Sequence, residues 1–92
     1  MPKYVIERTI PGAGQMSSAQ LNTAAKSSND ALAALAPRVT WQQSYVTDDK
    51  IFCVYLADEP ASIVEHARMT GLPVDAIHRV GTVIDPATGH EI

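Results

Sequence analysis

Cys53 is the chain's only cysteine, and it stands in the apolar run "IFCVYLADEPASIVEHA" (51–67), which goes on through a short acidic turn into His66. A thiol and an imidazole can form a metal site or a nucleophile–base couple, or each can be ordinary packing. Free cysteine is among the most buried residue types, so Cys53 also reads as a small hydrophobe in a strand. As a reactive thiol or metal ligand it needs a cationic neighbour, and no basic residue flanks it locally, so only the fold can supply one. His66 sits at the edge of an apolar helical sector made by Ile63, Ala67 and Thr70. It reads either as a boundary histidine bonded to a carbonyl or water, or as a metal ligand or general base. Neither an HxxxH nor an ExxH spacing is present, so helix-encoded chelation is absent.

Glu7 and Arg8 are adjacent in a strand-like segment and must point to opposite faces. One is expected to face solvent and the other to form a salt bridge at an interface. If Glu7 shares a face with Cys53, the two make a thiol–carboxylate pair on neighbouring strands. Trp41, Gln43 and Tyr45, together with Tyr55, form an aromatic–polar set suited to a dimer interface or to the floor of a small-molecule pocket. Arg8, Cys53, Trp41, Tyr45 and Tyr55 are therefore the pocket or interface candidates. His66 is the first metal candidate, with His78, His90 and Glu91 behind it. No glycine-rich phosphate loop, CxxC or nucleophile elbow is found, and no organic cofactor is expected.

The elements that must position these groups follow from local rules. "KYVIERTI" (3–10) alternates and is rich in β-branched residues, a strand. Ser17 and Gln20 have capping-box spacing, and Met16 and Leu21 have hydrophobic-staple spacing, so a helix begins near Ser18. Leu21, Ala25, Ser28, Leu32 and Leu35 share its apolar face, and Pro37 stops it. Segments 39–47 and 50–57 are strands joined by a tight turn at Asp48-Asp49. Pro60 suits the first turn of a second helix with Asp58 or Glu59 at its cap. Gly71 suits its end, and Pro73 blocks continuation. Residues 78–84 read as the last strand. The order β-α-β-β-α-β is the ferredoxin-like plan, an α+β sandwich with one antiparallel sheet, over residues 1–86, and residues 87–92 form a polar tail. Phe52, Val54 and Leu56 make the better helix-facing set. Cys53 and Tyr55 are then expected on the opposite face, and His66 acts without Cys53 near a sheet edge.

With 92 residues the chain is near the low end for a self-sufficient core, so a homodimer covering the second sheet face is expected. The apolar content of 46% and charged content of 18% fit a globular chain, and the net charge of −3 with scattered Lys and Arg argues against nucleic acid. No stretch reaches transmembrane length, and "MPKYVIERT" lacks a signal-peptide apolar region, so no membrane partner and a cytoplasmic location are expected.

Several segments together, "MPKYVIER" with "PGAG", "SYVTDDKIFCVYLA", "EHA", the "GLP" turn and "VIDP", resemble the small actinobacterial and proteobacterial nickel-binding proteins long classed as a domain of unknown function. The resemblance spans nearly the whole chain and is most specific at "SYVTDDKIFCVY". It implies a ferredoxin-like homodimer that binds Ni²⁺ or another divalent transition metal near the dimer surface. Glu7, Cys53, Tyr55 and His66 match the family's characteristic polar positions. The alternative is a dimeric barrel-type enzyme acting on a small organic substrate, with His66 and Glu7 as acid–base groups.

Overall fold

The computed structural model describes residues 1–90. Four strands, β1 (Lys3–Thr9), β2 (Val39–Val46), β3 (Lys50–Ala57) and β4 (Ala76–Arg79), form one sheet in the order β2-β3-β1-β4, and every neighbouring pair is antiparallel. Helices α1 (Ser18–Leu35) and α2 (Pro60–Thr70) connect β1 to β2 and β3 to β4. This is the ferredoxin-like arrangement, with β1 and β3 at the centre.

The helix boundaries fall where the local chemistry puts them. The Ser17 hydroxyl accepts from the Gln20 N–H at 3.2 Å, and the Gln20 side chain accepts from the Ser17 N–H at 2.8 Å, which closes the capping box of α1. Helix α2 opens on Pro60 and ends at Gly71, whose φ of 75° is a left-handed value that favours glycine. There the Gly71 N–H donates to the Ala67 carbonyl at 2.8 Å. The hairpin between β2 and β3 closes with the Thr47 N–H donating to the Lys50 carbonyl at 2.8 Å.

Strand β4 departs from expectation. It begins at Ala76 and stops at Arg79, leaving Val83 and Ile84 exposed. The cause is its partner. Strand β4 pairs with β1 from Ala76 opposite Glu7 to Arg79 opposite Tyr4, and β1 starts at Lys3. After the Val80 N–H donates to the Lys3 carbonyl, no further β1 backbone remains to pair with.

The face assignment is the larger correction. Cys53, Tyr55 and Ala57 are buried on the helix side with Tyr4, Ile6, Val39, Leu35 and Ile63. Phe52, Val54 and Leu56 take the other face and are half-buried. The physical reason is volume. The buried stripes of the helices mix large residues (Leu35, Ile63 and His66) with small ones (Ser28 and Ala31 on α1, Ser62 and Ala67 on α2), and over the small ones the sheet supplies the bulk that fills the layer. Tyr4, Tyr55 and Arg8 do so.

Strand β2 contains a bulge. Trp41 pairs with Tyr55 but Gln43 pairs with Val54, so Gln42 is the extra residue. Trp41 therefore packs against the helix-side core, whereas Gln43 and Tyr45 lie on the other face, with Tyr45 56% exposed. The expected single face of Trp41, Gln43 and Tyr45 is thus split in two.

Candidate functional site

On the helix side, strand alternation carries Tyr4, Ile6 and Arg8 inward together. Arg8 is 0% exposed. Its Nη1 donates to the Pro73 carbonyl at 2.8 Å, its Nε to Cys53 Sγ at 3.4 Å and its Nη2 to Tyr55 Oη at 3.4 Å. No carboxylate of the described residues lies within ion-pair distance of it. A buried charge with only neutral partners costs several kcal/mol relative to water, so this guanidinium is an unusual core residue. It also supplies the cationic neighbour of Cys53 that no local sequence provides. The expectation that one of Glu7 and Arg8 faces solvent while the other forms an interface salt bridge is corrected: Arg8 is enclosed in the core, and Glu7 pairs with Lys50 of its own chain.

His66 lies on the same side of the sheet as Cys53, in the core and not at a sheet edge. It is 0% exposed, its Nε2 and Ser28 Oγ share a hydrogen bond of 3.1 Å, and its ring is 5.4 Å from that of Tyr55 at a tilt of 58°. Its Nδ1 is buried without a partner among the described residues. Burial, and then the positive charge of Arg8, hold the imidazole below its ordinary pKa, so it is neutral when folded. Tyr55 stands between the two groups. Its phenol is pushed up to about 12 by burial and by Cys53, with Arg8 opposing, and it stays protonated.

Beside Arg8 is a cavity of about 270 Å³ between α1 and the sheet. Leu21, Ala24, Ala25 and Ser28 line it from α1, Trp41, Ser44 and Val46 from β2, Ile51, Cys53 and Tyr55 from β3, and Leu72 from the loop after α2. Trp41 Nε1 donates to Ser44 Oγ at 2.9 Å, which fixes the indole. Sequence reasoning passed over Ser28, seen only as a position on the helix face, and the Pro73 carbonyl. The readable signal was the shared parity of Tyr4, Ile6 and Arg8.

The other face carries Glu7. Its Oε2 accepts from Lys50 Nζ at 3.0 Å and its Oε1 is 3.4 Å from His78 Nε2. The bond from Lys50 and then that from His78 hold the carboxyl below its ordinary range. Val5, Phe52, Val54, Leu56 and Tyr45 share this face. Glu7 and Cys53 are therefore not a pair. Glu7 and His66 lie on opposite sides of the sheet and cannot serve one substrate as acid and base within a chain.

A metal finds an incomplete donor set. Among the described residues no three of His, Cys, Asp and Glu converge. His66 belongs to no such cluster: Ser28 takes its Nε2, and no set of further donors converges on its Nδ1 among the described residues. Glu7 and His78 give one carboxylate and one imidazole side by side, half of what a transition metal needs. His90 is exposed in the turn Pro86–His90, and Glu91 lies outside the described residues.

Architecture and site together define a small ferredoxin-like α+β protein with charged groups on both sides of its sheet. The model of the nickel responsive protein SCO4226-like family matches residues 4–80, and the chain belongs to that family. The crystal structure of SCO4226 from Streptomyces coelicolor A3(2) is similar in fold, with a TM-score of 0.73 at 17% identity, covering 89% of this chain and 99% of that one. The comparison with curated proteins finds no match. No helix among the described residues is long and apolar enough to cross a membrane.

Proposed function

We propose that this chain is a cytoplasmic nickel-binding protein that takes the ion on the open sheet face, at Glu7 and His78, as a homodimer. The carrying observation is the 3.4 Å approach of Glu7 Oε1 and His78 Nε2 on neighbouring strands. Imidazole and carboxylate both bind Ni²⁺. Lys50 neutralises Glu7 in the metal-free state and can swing away, since its side chain is 45% exposed. The apolar remainder of the face suits a second copy. A twofold axis presents the same patch twice, so two half-sites become one four-donor set. The family's description as nickel responsive supports the choice of metal. This assignment puts the ion at Glu7 and His78 and gives His66 a structural role.

Calorimetric titration of tag-free protein with Ni²⁺ tests the reading. His78→Ala and Glu7→Gln should each weaken binding at least about ten-fold, the scale on which even outer-shell partners act. His66→Gln should bind as the parent does. Unchanged affinity in His78→Ala would overturn the assignment.

A further inference from the structure

We propose that the cavity between α1 and the sheet is a binding site for a small organic anion, a carboxylate with a compact apolar body, held through Arg8. The site lies on the opposite side of the sheet from Glu7 and His78 and stands or falls independently of the nickel reading.

Three observations converge. First, Arg8 stands behind the cavity wall, fully buried, so an anion reaches it only as that wall gives way, and no acid among the described residues neutralises it. Three of its N–H groups are used, by Pro73, Cys53 and Tyr55. A guanidinium carries five, so one N–H on each Nη has no partner among the described residues. The existing bonds hold the fork in place, the preorganisation that carboxylate recognition uses. Second, the rest of the wall is chiefly apolar, with Leu21, Trp41, Ile51 and Leu72 facing the space. A bare hydrated ion gains nothing from such a wall, whereas an aromatic or aliphatic body does. Third, the volume of about 270 Å³ falls just under the range of ~300–1,000 Å³ typical of ligand pockets. The occupant is therefore small. Binding supplies the missing countercharge to Arg8 and removes apolar surface from water in the same step.

Trp41 is the chain's single tryptophan and lines the cavity, so intrinsic fluorescence reads occupancy directly. The full chain is titrated with phenylacetate and hexanoate, with the neutral phenylacetamide and with inorganic phosphate. We expect a saturable change with at least one of the acids, at least about ten-fold tighter than with the amide or phosphate, the discrimination of one lost charge-assisted contact. Bound acid should also slow labelling of Cys53 by a thiol reagent. Arg8→Met should erase the preference for acid over amide. Because that variant alters the core, Ala25→Leu serves as the second arm. It fills the cavity from α1, leaves Arg8 in place, and should abolish binding while the unfolding transition stays cooperative. The proposal is overturned by no saturable change with either acid, by equal affinity for acid and amide, by phosphate binding as tightly as the acids, or by acid binding that survives Ala25→Leu.

Discussion

Arg8 and Glu7 are neighbours in one strand, but they meet different surroundings. Arg8 is sealed against Cys53, Tyr55 and the Pro73 carbonyl, without an acid partner among the described residues. Glu7 sits on the open face between Lys50 and His78, two groups that can both carry positive charge. The helix side thus holds a fixed charge short of a partner, and the open side holds an acid with partners that can exchange. A fixed unpaired charge suits selective capture of one kind of ion. An exchangeable cluster suits an ion whose arrival displaces a lysine. The lesson is that burial, more than residue type, separates the roles of two adjacent charged side chains.

The contrast breaks most visibly in stability. Tyr55→Ala should cost about 3–5 kcal/mol, as aromatic truncations in cores do, because Tyr55 is buried between Arg8 and His66. Urea denaturation followed by circular dichroism checks this. A loss under about 1 kcal/mol would mean that the helix side is not the tightly packed one.

The open face sharpens the contrast through assembly. The parent should scatter light as a dimer at micromolar concentration. Phe52→Glu should scatter as a monomer, with folded-state circular dichroism retained. A monomeric parent would remove the reason for an apolar open face.

The third test uses pH. His66 is held neutral in the fold by burial and by Arg8, while the unfolded chain takes up a proton near its ordinary value of 6.5. The unfolded state then binds more protons below that pH. Stability is therefore full above about 6.5 and falls as the pH drops through it. His66→Gln should flatten this dependence between about pH 7 and 5, measured as the urea midpoint. The depressed carboxyls of Glu7, Asp58 and Glu65 act only at lower pH, around and below their ordinary values. An unaltered slope in His66→Gln would place the titrating group elsewhere.

The smallest expected effect is at Lys50. Lys50→Ala removes the cation that competes for Glu7, and should tighten Ni²⁺ binding by about two- to five-fold, the scale of an exposed ion pair. Weaker binding in calorimetry would mean that Lys50 supports the site instead of blocking it.

Much of the architecture was legible because its signals are local. Ser17 with Gln20, Pro60 with Gly71, and the turn around Asp48-Asp49 each mark a boundary by chemistry within a few residues, and the element order followed. The faces were not legible in the same way. Both alternating sets of β3, Phe52/Val54/Leu56 and Ile51/Cys53/Tyr55/Ala57, are apolar enough to be buried. Choosing between them requires the volume of the helix stripes, a property of three elements at once. The length of β4 depended on where its partner strand begins. Arg8 escaped notice as a core residue because charge normally predicts exposure, and its parity with Tyr4 and Ile6 was the clue that outweighed it. His66 was read at the border of its helix's apolar sector and near a sheet edge, whereas it is fully buried, and its bond to Ser28 joins two helices, which no single-segment pattern contains.

The extra residue at Gln42 gives β2 a reading frame that changes partway along. Before it, odd-numbered positions such as Val39 and Trp41 face the helices. After it, even-numbered Ser44 and Val46 do. Paired as an ordinary strand residue, Gln42 would put Trp41 and Tyr45, four positions apart, in the same phase. As an unpaired bulge it lets them stand on opposite faces, the indole in the cavity wall and the phenol outside it. Loss of Gln42 alone would bring the two to three positions apart in a regular strand and keep both orientations. A chain lacking Gln42 should therefore retain the Trp41 fluorescence of the parent.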